Sequence, residues 1–129
     1  MAILGHGIDL VECTRIARIM ENHKARFLDR VLTAAEQQHT ARYTRGFVQS
    51  VAGRWAAKEA ILKVIGTGWR GKIAWTDMEI LPDALGKPTV TLTGETARLA
   101  AARGMKRIVV SITHTAQHAA ASAIGLSDD

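Results

Sequence analysis

Residues 53–68 read GRWAAKEAILKVIGTG, and how this stretch folds decides the architecture around it. From about Gly46 to Ile65 the chain has no helix breaker except Gly53, so a long helix is predicted, with Gly66 placed to cap its C-terminus. Glu59 and Lys63 then lie four residues apart on one face. An ordinary Glu-to-Lys helix pair, which stabilises by a few tenths of a kcal/mol, would explain them. So would half of a phosphate-handling site, because the helix ends in Gly66–Thr67–Gly68, whose backbone amides could face an anion. Helix geometry alone leaves both open.

The sequence on the N-terminal side of this helix sets its surroundings. AILGHGIDL is a short apolar run of strand character, interrupted by Gly5 and Gly7. On a helix, the next segment, VECTRIARIMENH, gathers Cys13, Ile16, Ile19 and Met20 on one side and Arg15, Arg18 and Asn22 on another. LTAAEQQH opens with a capping-box pattern, Thr33 as N-cap and Glu36 at N3. After Gly71, TDMEIL and KPTVTL read as strands joined by a turn through PDALG. GETARLAAARG reads as a helix capped by Thr93 and stopped by Gly104. RIVVSITHT alternates as a strand, with Val110, Ile112 and His114 on one face. AAASAIGL could return as its hairpin partner, although its alanines also suit a helix. Helices mostly first and strands mostly later argue an α+β class, with residues 1–129 forming one domain.

The chain of 129 residues is 47% hydrophobic, enough to close a core, and its single cysteine, Cys13, excludes an internal disulfide or a multi-cysteine zinc site. Cys13 among apolar neighbours reads as a small buried hydrophobe. MAILGHGIDLVE lacks a basic leader, and no apolar stretch approaches the roughly 20 residues of a membrane span, so a cytoplasmic protein without a membrane partner is expected. The net charge of +5 and pI near 9.9 favour an anionic partner: nucleic acid, an acidic protein or a phosphorylated small molecule. Aromatic residues are only 5% and no basic run is interleaved with them, so nothing beyond charge supports nucleic acid.

Motif spacing narrows the chemistry. GTGWRGK (66–72) has the spacing of a phosphate-binding P-loop, but Ile73 stands where Ser or Thr should bind metal, and a helix precedes the loop instead of a strand. HTAQH spaces His114 and His118 four apart without the glutamate of a zinc protease. Asp9, at the end of an apolar run, could be a helix N-cap with Glu12 three residues on. Asp9 together with Glu59 is also the one or two carboxylates that Mg²⁺ typically takes, its shell completed by water and phosphate oxygens. Lys63 and the 66–68 amides could then hold those phosphates.

GIDLVECTRI (7–16), FLDRVLTAAE (27–36), GRWAAKEAILKVIGTG (53–68), LGKPTV (85–90) and VSITHT (110–115) resemble, in order and over nearly the whole chain, the motifs of the holo-acyl-carrier-protein synthases, a 4′-phosphopantetheinyl transferase family. The resemblance implies transfer of the phosphopantetheine arm of coenzyme A to a serine of apo-acyl carrier protein, releasing adenosine 3′,5′-bisphosphate, in fatty acid biosynthesis. It implies Asp9 and Glu59 as catalytic Mg²⁺ ligands. It implies Lys63, Gly66, Thr67, Gly68, His114 and Thr115 as coenzyme A contacts, with Arg54 joining the phosphate contacts. Arg15, Arg18 and Asn22 fall on the helix the family uses to dock the acidic carrier protein. The implied fold is α+β, a long helix against a small antiparallel sheet, assembled as a homotrimer with sites between subunits. Two other classes compete. A small basic nucleic-acid-binding protein would explain the charge but not Asp9 with Glu59. A non-catalytic carrier-protein-binding module would explain Arg15 and Arg18 but not the coenzyme A motifs.

Overall fold

The computed structural model describes residues 1–68 and 71–127. Strand β1 (Ile3–Glu12) runs straight into helix α1 (Cys13–Val31), followed by α2 (Ala34–Thr40) and α3 (Phe47–Ile65). A single 3₁₀ turn (Trp75–Asp77) leads to β2 (Met78–Pro82), β3 (Pro88–Leu92), α4 (Gly94–Ala102), β4 (Arg107–His114) and β5 (His118–Leu126). The strands form two antiparallel sheets, one ordered β1-β5-β4 and the other β2-β3. The α+β reading holds, and the breaker-poor stretch is the long helix it promised.

Helix α3 is the hub of the core. Val51, Ala52, Ala56, Ala60, Ile61 and Ile65 are all fully buried, because α1, α2, α4 and the three-stranded sheet pack around the helix. It lies so close to the three-stranded sheet that small residues are required. A Cβ on Gly7 would stand 2.2 Å from the Ala60 carbonyl oxygen, and one on Gly5 would stand 2.8 Å from that of Val64. These glycines therefore do not interrupt the strand; they are where the helix rests on it. On β5, Ala119, Ala121 and Ala123 present a similarly small buried surface. The helical alternative for that segment fails because both of its edges are taken, by β1 and by β4.

Other expectations hold with local corrections. In α1, Cys13, Ile16 and Met20 are buried with Ile19 packed beside them, while Arg15, Arg18 and Asn22 are exposed. Asp9 is not an N-cap: β1 continues through it to Glu12, which itself caps α1 without a side-chain bond. The Thr33–Glu36 capping box forms. Thr93 precedes α4, but its hydroxyl donates to the Asp77 carbonyl in place of capping the helix. Thr76 and Asp77 fall in the 3₁₀ turn, not in a strand, because the Asp77 carboxylate folds back to accept from the Ala74 amide.

Behind α3, Lys58 is wholly buried and pairs with the equally buried Glu36 at 2.7 Å. Burial lowers the Lys58 pKa and the Glu36 carboxylate opposes that shift.

Candidate functional site

Side chains alternate along β1, so Asp9 shares the α3-facing side with Gly7 and Val11. Glu59 and Lys63 lie on the part of α3 that packs there. The Lys63 Nζ donates to the Ile8 carbonyl at 2.7 Å and to Asp9 Oδ1 at 3.3 Å. Its partner is thus across the strand, in a half-exposed pair worth little to stability. Glu59 is half-buried, and its carboxyl pKa is raised first by that burial and then by the negative charge of Asp9. Lys63 and Arg15 pull in the opposite direction. Two carboxylates that repel each other, ringed by cations, favour a bound cation or a bound anionic ester.

The residue types test what could sit there. Among the described residues no group of three His, Cys, Asp or Glu side chains converges on one point. A metal held by Asp9 and Glu59 would therefore need oxygen ligands from water and substrate, as Mg²⁺ accepts and a structural zinc does not. The donor set fits Mg²⁺.

Beyond Lys63, the helix stops at Gly66, whose φ of 88° and bond to the Leu62 carbonyl make a left-handed cap. Gly68 is also left-handed, at φ 65°. Two left-handed residues thus flank Thr67, a backbone that glycine adopts without strain. Trp69 and Arg70, in the middle of the P-loop-like stretch, lie outside the described residues.

His114 is not beside Glu59. It lines a cavity of about 310 Å³ with Tyr43, Arg45, Gln49, Ser50 and Arg54, against the first half of α3. From Ser50 to Glu59 is nine residues, or about 13 Å along the helix at 1.5 Å per residue. The Arg54 guanidinium is tied to the Ile80 carbonyl at 3.1 Å and to Ser50 Oγ at 3.0 Å, yet it borders this cavity and a second one of about 450 Å³ lined also by His39, Asp83 and Pro88. Thr115 Oγ1 accepts from the Gln117 and His118 amides and so shapes the β4–β5 turn, leaving its own hydrogen to donate. Arg45, Tyr43 and Gln49 carried no signal in the sequence. They belong to an unremarkable loop and first helical turn, and only the packing of β4 against α3 brings them to His114.

The sequence profile of the 4′-phosphopantetheinyl transferase superfamily matches residues 5–123. The chain belongs to that superfamily. It is 45% identical to the holo-[acyl-carrier-protein] synthase of Solibacter usitatus over 114 residues, covering 88% of this chain and 90% of the relative. Its fold superposes on the holo-[acyl-carrier-protein] synthase of Neisseria meningitidis with a TM-score of 0.88 at 30% identity, over 98% of this chain and all of the other. The holo-(acyl-carrier-protein) synthase of Bacillus anthracis, in complex with CoA (3′,5′-ADP), superposes with a TM-score of 0.81 at 30% identity, over 98% of each chain.

Proposed function

We propose that this phosphopantetheinyl transferase is a holo-acyl-carrier-protein synthase. It would move the 4′-phosphopantetheine arm of coenzyme A onto a serine hydroxyl of apo-acyl carrier protein, supplying holo-carrier protein for fatty acid synthesis. The observation that carries the reading is the Asp9–Glu59 pair with Lys63 and Arg15 around it. The serine oxygen attacks the phosphorus that bears pantetheine, that phosphorus loses its bond to the bridging oxygen, and adenosine 3′,5′-bisphosphate leaves. Lys63 neutralises charge on the phosphate oxygens, and the 66–68 turn orients them. Asp9 and Glu59 would hold Mg²⁺, which supplies further charge neutralisation on the pyrophosphate. One of these two carboxylates takes the serine proton. Gly66, Thr67 and Gly68 join Lys63 as coenzyme A contacts. Arg54 and His114 contact the nucleotide from the cavity they line, and Thr115 contacts coenzyme A from the adjoining β4–β5 turn. Arg15, Arg18 and Asn22 dock the acidic carrier protein.

The working unit is a homotrimer with sites between subunits. Two features support this. The His114 cavity is set against the first half of α3 and its lining stops at Arg54, more than a helical turn before Glu59, so a neighbour's cavity could complete the site. The outer face of the three-stranded sheet also leaves Ile8 and Leu10 62% and 68% exposed on an edge strand, an apolar surface that association would cover. Among the described residues no helix is long and apolar enough to cross a membrane.

The deciding experiment incubates apo-carrier protein with coenzyme A, Mg²⁺ and the enzyme and weighs the product. A gain of one phosphopantetheine group, abolished by EDTA, is expected. An unchanged mass, with carrier protein nonetheless bound, would leave only a non-catalytic carrier-protein-binding module.

A further inference from the structure

We infer that Lys58, clamped by Glu36, is a positioning residue that aims the Asp9–Glu59 pair. The inference rests on the assignment of those two carboxylates to the metal and adds a residue outside the site. Helix α3 meets β1 through Gly5 and Gly7. Val64 Cγ1 and Lys63 Cβ lie against these glycines and set how close the helix comes, but apolar contacts of this kind carry no directional bond. The directional restraint lies at Lys58. The Lys58 Nζ donates to the Val31 carbonyl at 2.6 Å, Glu36 Oε1 at 2.7 Å and the Trp75 carbonyl at 3.2 Å, which uses all three ammonium hydrogens. These acceptors come from three elements: the end of α1, helix α2 and the 3₁₀ turn. Glu36 is held in turn by the Thr33 amide on Oε1 and the Ile80 amide on Oε2, both at 2.9 Å. One turn back, Arg54 makes a parallel bond to the Ile80 carbonyl.

A buried ion pair is a poor way to gain stability, because desolvation offsets most of the attraction and apolar pairs often do as well. What this one supplies is direction. Glu59 follows Lys58 in the chain, and at a helix radius of 5–6 Å a turn of about 10° moves its side chain by about 1 Å. A displacement of that size can lower turnover about 100-fold.

The test compares Lys58→Met and the milder Lys58→Gln with Ile108→Ala, a core variant on β4 that lowers stability away from the site. Mn²⁺ is titrated calorimetrically into each protein saturated with coenzyme A, and turnover is measured in parallel. The Lys58 variants are expected to bind Mn²⁺ about 10-fold more weakly or worse, the range found when groups supporting metal ligands are lost. Their kcat should fall and their KM for carrier protein stay within about twofold, the split expected of an interaction that acts on the reacting centre. Ile108→Ala should keep wild-type Mn²⁺ affinity. If Lys58→Met does not fold, Lys58→Gln carries the comparison. Unaltered Mn²⁺ affinity in a folded Lys58 variant, or an equal loss in Ile108→Ala, overturns this inference alone. Wild-type protein that binds no Mn²⁺ overturns the metal assignment, and the inference with it.

Discussion

Gly7→Ala tests whether the fold brings Asp9 and Glu59 together by close approach of β1 to α3. The added methyl would stand 2.2 Å from the Ala60 carbonyl oxygen and 3.0 Å from Lys63 Cβ. An ordinary contact is near 3.5 Å, so strand and helix must separate by roughly 1 Å. Replacing glycine by alanine favours folding by about 0.4–1 kcal/mol through the unfolded chain. Forcing packed backbones apart costs about 1–3 kcal/mol, and more where the obstacle is a carbonyl. The net expectation is a loss of about 2 kcal/mol, equivalent to about 8 °C in Tm for a chain this size. Gly5→Ala, whose nearest atom lies at 2.8 Å, should lose less. Urea unfolding at fixed protein concentration reads the stabilities, and calorimetric Mn²⁺ titration reads the spread of the two carboxylates. Gly7→Ala at wild-type stability and Mn²⁺ affinity would refute the claim that this contact is tight and that it aligns the site.

Three further outcomes are expected. In metal-free protein the Glu59 carboxyl has a raised pKa, so its ionisation lowers stability as pH climbs from the unfolded value of about 4.3 through the folded one. Metal-free Glu59→Gln should then be the more stable protein at neutral pH but not below pH 4, and it should lose Mg²⁺-dependent transfer; urea midpoints across pH, with turnover, check this. Arg18→Glu should raise KM for carrier protein in a salt-dependent way and leave that for coenzyme A unchanged, whereas Arg15→Glu should also lower kcat because its charge acts on Glu59; equal effects on both substrates from Arg18→Glu would point to a folding defect. Co-refolding Glu59→Ala with His114→Ala chains should recover activity above the sum of the two alone if sites are shared between subunits, and no recovery in confirmed mixed trimers would place both residues in one subunit's site.

Local patterns carried much of this protein. The helix at residues 47–65 and its Gly66 stop, the Thr33–Glu36 box and the β2–β3 hairpin are set by neighbours within a few residues, and such interactions are written in order along the chain. The spacing of Glu59 and Lys63 on one face was legible for the same reason. Partnership was not. Lys63 turned away from its helical neighbour toward Asp9, more than fifty residues earlier, because the packing of α3 on two glycines puts a strand carbonyl within its reach. Glu36 looked like half of a capping box and is also the buried counter-ion of Lys58, since only tertiary packing removes both from water. Arg45 and Gln49 became neighbours of His114 only when β4 crossed the first half of α3. Sequence determined which residues were chemically able to act. The fold decided which of them meet, because contacts between distant segments depend on how helices and sheets close around a shared core, and no local spacing encodes that closure.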